Sequence, residues 1–273
     1  MTTPKFPVFF ISHGGGPWPW MDGMKQAYEK TATEFAHLPE LLPAKPKAIL
    51  VVTAHWESEG FTVSTGEAPS MLYDYSGFPA HTYQVQYKAP GSPAVAARVR
   101  ELLKGAGIPS AEDATRGFDH GTFVPLALIY PDADIPVVML SIKSSYDAAE
   151  HIRLGQALAP LREEGVLIIG SGLTYHNMRG FGRDESTRVA QAFEGYLNEA
   201  VAAPDAAKRN DMLTHWEQAP AARQAHPQED HLIPLMVVAG AAGSDVGRKL
   251  FTDDVMKVAM TSYEFGAAQT VAA

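Results

Sequence analysis

Apolar residues follow two rhythms along the chain. Short, nearly continuous runs of Val, Ile and Leu fill residues 7–11, 48–53 (AILVVT), 135–140 (IPVVML) and 166–169 (VLII). Runs of this length without polar alternation predict strands buried on both faces, as in a mostly parallel sheet. Residues 256–264 predict a late strand. Between the runs the apolar spacing lengthens to a helical period, predicting helices over 21–36, 92–107, 147–164 and 185–202. The second of these opens on Ser92-Pro93 and closes on Gly107, which are start and stop signals. Residues 204–228, polar and Ala-rich, read as helix plus loop. The alternation predicts an α/β sandwich: one domain over residues 1–273, with a central mixed, mostly parallel sheet and helices on both faces.

Against this frame the histidines take on positions. His13 follows the first run in FFISHGGGPWPW, His55 the second in AILVVTAHWES, and His176 the fourth in VLIIGSGLTYHN. The C-terminal ends of parallel strands face one crevice, where ligands bind. His231 opens the apolar run HLIPLMVVAGAA behind Glu229-Asp230, acidic residues that suit a helix start. His120, in GFDHGTFVPL, lies at a loop-to-helix junction. A lone histidine after a strand is more often a hydrogen-bonded loop residue than a ligand. Several aimed at one edge point to a metal centre. His37, His151 and His215 read as helix-surface residues, His226 as a loop residue, and His81 has no such setting.

Composition narrows the ligand chemistry. The chain has no cysteine, which excludes disulfides, thiolate zinc sites and a cysteine nucleophile. Imidazoles suit iron(II), zinc, copper or manganese, and a common non-haem iron set is two histidines and a carboxylate. Glu57, Asp119, Glu229 and Asp230 lie near the candidate histidines in sequence, so the third ligand is either histidine or carboxylate. Acidic residues exceed basic ones by 31 to 22, so neither nucleic acid nor an anionic membrane is an expected partner. No apolar run reaches the roughly 18–20 residues that span a bilayer, and the first residues do not resemble a signal peptide. A cytoplasmic protein is expected.

Other motifs fail. His13-Gly14-Gly15-Gly16 matches an esterase oxyanion signature, but Ser171 in IGSGL lacks both outer glycines of the nucleophile elbow. There is no P-loop, no dinucleotide fingerprint and no H-E-x-x-H. Trp18, Trp20, Trp56, Tyr73, Tyr75, Phe78, Phe118 and Tyr175 gather beside the histidines in sequence. They read as core or lid packing, or as the lining an aromatic substrate needs.

Six ordered segments, ISHGGGP, TAHWES, YDYSGFP with YKAPGSP, GFDHGTFVPL, GSGLTYHN and HPQEDHLIPL, span residues 11 to about 243. Together they resemble the class III extradiol ring-cleaving dioxygenases, in the 4,5-DOPA extradiol dioxygenase branch. The resemblance implies an α/β sandwich and a non-haem metal enzyme. It implies cleavage of the ring of a small, DOPA-like catechol with O2 to a muconic semialdehyde. It implies iron(II) for catalysis, with zinc possible in purified protein. It assigns the metal to His13, His55 and His231, and makes His176 the acid/base histidine, close enough to be a fourth ligand. It gives His120 a contact with substrate or oxygen. Two other readings share these histidines: a zinc-dependent hydrolase or lyase, and a metal-binding relative that is not an enzyme.

Overall fold

The computed structural model describes residues 4–266, so the two ends of the expected 1–273 unit lie outside the described residues. Eight strands make one sheet: β1 (Val8–Ser12), β2 (Ala48–Ser58), β3 (Phe61–Ser64), β4 (Ser110–Asp113), β5 (Val137–Lys143), β6 (Val166–Gly172), β7 (Gly247–Val255) and β8 (Val258–Phe265). Their order is β4-β3-β5-β2-β6-β1-β8-β7. The central four, β5, β2, β6 and β1, are parallel. β8 pairs antiparallel with both β1 and β7, and β3 pairs antiparallel with β5, so the sheet is mixed. The four continuous apolar runs are the four central strands, because only strands covered on both faces lose their polar alternation. β3, β4 and β7 carry polar residues and escaped that signal.

Helices cover both faces, as β6 shows by its period of two. Gly170 and Gly172 abut the helix Ile233–Ala242 and the residues before it, while Ser171 between them points the other way. Its hydroxyl donates to the carbonyl of Gly121, in the helix His120–Ile129, at 2.5 Å. The helix Ile233–Ala242 is buried on every side, against the sheet and the helix Ala148–Leu158. Among the described residues no helix is long and apolar enough to cross a membrane.

Several elements differ from the sequence reading. The helix expected over 21–36 is divided at Tyr28 into Asp22–Ala27 and Glu29–His37. The one expected over 147–164 ends at Leu158 and continues as a 3-10 turn, Ala159–Arg162, around Pro160, which has no N–H to donate. Residues 204–228 hold the short helices Ala206–Thr214 and Ala222–Ala225. His151 is not a surface residue: it is fully buried under neighbouring elements. Its Nδ1 donates to the Asp147 carbonyl at 2.7 Å and its Nε2 accepts from the Lys143 amide at 3.0 Å. Burial pushes its pKa down to about 4.

Candidate metal centre and active site

The five candidate histidines meet at the C-terminal edge of the central strands. His13 comes one residue beyond β1, its amide donating to the Gly172 carbonyl at the end of β6 (3.1 Å). His55 is not after β2 but inside it. Thr53 pairs with Ser141 and Glu57 with Ile142, so the residues between them bulge out of the ladder. Bulges beside active sites re-aim side chains. This one is pinned by three groups. Thr53 Oγ1 receives the His55 amide (3.2 Å), Arg116 donates to the His55 carbonyl (3.0 Å), and Asp119 accepts from both Thr53 Oγ1 (2.9 Å) and Arg116 (3.0 Å). Gly121 leaves room for the imidazole, since a Cβ there would lie 2.9 Å from the His55 ring.

The segment before the helix Ile233–Ala242 carries His231 onto β6. The Leu173 amide donates to the His231 carbonyl at 3.0 Å. A Cβ on Gly172 would lie 2.1 Å from that carbonyl oxygen, so only glycine allows the approach. His120 is the first residue of its helix, capped by Asp119, which accepts from the Thr122 amide at 3.0 Å. His176 follows β6, its amide bonded to the Ala225 carbonyl at 2.9 Å.

Three imidazoles converge through the same nitrogen. His55 Nε2 lies 3.3 Å from His13 Nε2 and 3.2 Å from His231 Nε2. Two aspartates stand behind the ring cluster, each spanning a pair. Asp74 receives the amide and Nδ1 of His120, both at 2.9 Å, through one oxygen, and its other oxygen lies 3.3 Å from His55 Nδ1. One oxygen of Asp230 lies 2.5 Å from His231 Nδ1 and 3.4 Å from His176 Nδ1. The His176 and His231 rings stack with centroids 3.5 Å apart. Among the described residues His13 has no carboxylate behind it.

Burial keeps the rings of His13, His55 and His231 neutral, and hydrogen bonds keep Asp74 and Asp230 charged. Burial, then the neighbouring imidazoles, hold His13 and His55 well below the usual histidine range. Burial lowers His231 to about 4 despite Asp230. Burial also pushes Asp74 and Asp230 up, but hydrogen bonds from His120, and from His176 and His231, outweigh it and hold both carboxyls below the ordinary value. The Nδ1 protons of His55 and His231 therefore face carboxylates, and their Nε2 atoms are bare lone pairs. Two such acceptors 3.2 Å apart repel unless a cation lies between them. An all-nitrogen donor set of this kind fits iron(II) or zinc.

The carboxylates weighed as ligands are engaged elsewhere. Glu57 bonds Tyr146, Glu229 pairs with Arg223 (2.5 Å), Asp119 holds the bulge, and Asp230 stands behind His231. His37 and His215 are exposed, and His81 bonds the Trp20 carbonyl (2.9 Å). His226 is buried against Phe193 and Trp216, its pKa pushed down to about 3 by burial. The esterase reading fails in space too: Ser171 is buried on Gly121, and the Gly15 amide is taken by the Tyr28 hydroxyl (3.0 Å).

Above the rings opens a cavity of about 550 Å³. Of the eight aromatics gathered in sequence, Tyr75 and Phe78 line it, and Trp18 instead stacks on Tyr28 in the core. Sequence reasoning missed Asp74 and the apolar residues Met24, Met178, Phe181, Met256 and Met260 of the walls. Asp74 sits in the YDYSGFP segment, but no local spacing ties it to a histidine.

Known proteins resemble this chain over most of its length. The family model described as the catalytic LigB subunit of aromatic ring-opening dioxygenase matches residues 7–272. A 4,5-DOPA dioxygenase extradiol of Beta vulgaris is 44% identical over 241 residues, covering 87% of each chain. Its namesake in Escherichia coli (strain K12) is 36% identical over 88% of this chain and 87% of its own. Dioxygenase tasH of Hapsidospora irregularis is 34% identical over 96% of this chain and 86% of its own. The crystal structure of an uncharacterized protein from Escherichia coli K12 superposes with a TM-score of 0.77 at 31% identity, covering 96% of this chain and all of the other.

Proposed function

This chain belongs to the family of the catalytic LigB subunit of aromatic ring-opening dioxygenases, and from that premise we propose that it is an extradiol dioxygenase. It cleaves the ring of a small single-ring catechol with O2 to a muconic semialdehyde, as one catalytic unit spanning the chain. The observation that carries the reading is the contact of His13, His55 and His231 through Nε2, with an Asp74 oxygen 3.3 Å from Nδ1 of His55 and Asp230 bonded to Nδ1 of His231.

In this reading His13, His55 and His231 hold iron(II). When bound, the iron supplies Lewis acidity toward the diol and electron transfer to O2, which redox-inert zinc does not. Asp74 and Asp230 fix the tautomer and orientation of their rings, the usual work of carboxylates behind metal-bound histidine. His176, stacked on His231 and half-buried at the cavity, takes a phenol proton from the bound catechol and returns one as the ring opens. Asp230 behind its Nδ1 supports the imidazole while it carries that proton. His120, with its ring centroid 3.9 Å from that of His55, stabilises negative charge developing on oxygen, and Asp74 holds its other nitrogen. Tyr75 and Phe78 flank the aromatic ring.

The test is to strip the protein of metal, reload it anaerobically with iron(II) or zinc, and add catechols, with DOPA among them, then oxygen. Oxygen uptake with a yellow semialdehyde chromophore, from the iron form alone, is the expected result. Silence of the iron form across the catechols, with hydrolysis of another substrate by the zinc form, would replace the proposal by a zinc hydrolase on the same histidines.

A further inference from the structure

The walls of the cavity are chemically unlike its floor. Apart from the five histidines and the three glycines after His13, the cavity is lined by Tyr28, Tyr75, Phe78, Leu173, Phe181 and four methionines. Neither lysine nor arginine lines it among the described residues, and residues 1–3 and 267–273 contain none. The carboxylates of Asp74 and Asp230 stand behind the floor, and the Arg116 guanidinium, which bonds the His55 carbonyl, is paired with Asp119. A volume of about 550 Å³ falls in the range of sites for substituted, drug-sized ligands, roughly 300–1,000 Å³, and exceeds what a bare ring fills.

The lip is built at a conformational cost. Met256 and Lys257 form the two-residue turn between β7 and β8, with φ of 48° and 68°. Such turns favour Gly, Asn or Asp, which tolerate positive φ, and neither Met nor Lys does so easily. Met256 is nevertheless 52% exposed, and Met178 across from it is 70% exposed. The Gly182 amide donates to the Met256 carbonyl at 2.8 Å, tying the turn to the 178–182 loop. Lys257 is turned outward, its Nζ 2.5 Å from Asp184. Arg179 follows Met178 but does not line the cavity. A strained turn that holds an exposed thioether over the site, beside another methionine and Phe181, serves a ligand rather than the core.

We infer that this lip, Met178, Phe181 and Met256, receives an uncharged, apolar substituent of the catechol. The preferred substrate is then an alkyl- or aryl-substituted catechol rather than one bearing a carboxylate. The inference rests on the catechol reading above and narrows its substrate class. A carboxylate entering this cavity would shed water without gaining a cationic side chain on the walls. Methionines adapt to varied apolar shapes, so substituents of different length are accepted.

The decisive comparison is 4-propylcatechol against 3,4-dihydroxyphenylpropionate and DOPA. It is made by turnover with the iron(II) enzyme and by titration calorimetry with the zinc-loaded protein. The chains are of equal length, so the terminal methyl in place of a carboxylate, which costs no charge desolvation, predicts at least a ~10-fold advantage in kcat/KM and in Kd for 4-propylcatechol. Equal or tighter binding of the carboxylates overturns the inference, and loss of that preference in Arg179→Ala would assign it to an anion clamp. If no catechol consumes oxygen, the dioxygenase reading fails, while the calorimetric ranking still decides the substrate class. Met256→Asn relaxes the turn and removes the thioether. It should lower the 4-propylcatechol-to-catechol selectivity several-fold with an unchanged or higher Tm. A lower Tm with unaltered selectivity would make Met256 merely structural.

Discussion

Four of the five imidazoles on the cavity floor are backed by an aspartate, whereas the lip above them consists of apolar side chains carried on turns. On the floor, positions come from the segments after β1 and β6, the bulge of β2, the first residue of the helix His120–Ile129 and the residues leading into the helix Ile233–Ala242, buried or half-buried throughout. At the lip, Met178 and Met256 stand largely in solvent. The difference separates two tasks. A metal and a proton carrier demand geometry fixed to a fraction of an ångström, which rigid elements and carboxylate braces supply. An apolar substituent demands only area, which flexible thioethers supply.

The comparison breaks most visibly at His176. If it moves protons, His176→Ala should retain metal and lose turnover by ~10²–10⁴. Metal content by elemental analysis beside oxygen uptake checks this, and metal lost in proportion to activity would make His176 a ligand first.

A histidine outside the site sharpens the contrast by showing what burial does without a carboxylate side chain. The neutral form of His151 is held by two backbone groups, and its folded pKa is about 4 against an ordinary 6.5. A pKa depressed in the folded state means stability that is complete above pH ~6.5. It is lost as pH falls from ~6.5 toward ~4, in total about 3 kcal/mol. Denaturant unfolding of the wild type against His151→Gln should show the wild type losing this much more over that window. Parallel pH curves for the two proteins would contradict the assignment.

The braces themselves come last. Asp74→Asn and Asp230→Asn should each weaken metal binding or activity by ~10–100-fold, since an amide still fills the space but no longer favours the Nδ1 proton. Metal titration by competition with a chelator measures it. The Met256→Asn variant, changed at the lip, should leave that metal affinity in place. Equal effects from floor and lip would dissolve the distinction.

Much of this was legible in the chain. The four central strands announced themselves as continuous apolar runs, and His13 and His176 were placed beside them because parallel strands end at a common edge. His55 was legible as a candidate but not in its setting. The Thr53–Glu57 bulge depends on Arg116 and Asp119, some sixty residues away. His151 was misread as a surface residue because its helix shows polar positions, and which face the neighbouring elements cover is not written in a single helix's period.

The sequence by itself determined the strand–helix alternation, the chemistry of the donors and the edge at which they gather, because periodicity and residue type are local properties. Only the tertiary structure decided which carboxylate stands behind which imidazole, that Glu229 turns to Arg223 rather than to the rings, and that Met178 and Met256 share one lip. Apart from Arg223–Glu229 and Asp230–His231, those are contacts between segments far apart in the chain. They are set by how bulges, turns and close approaches at Gly121 and Gly172 bring the segments together, and no pattern along one segment encodes them.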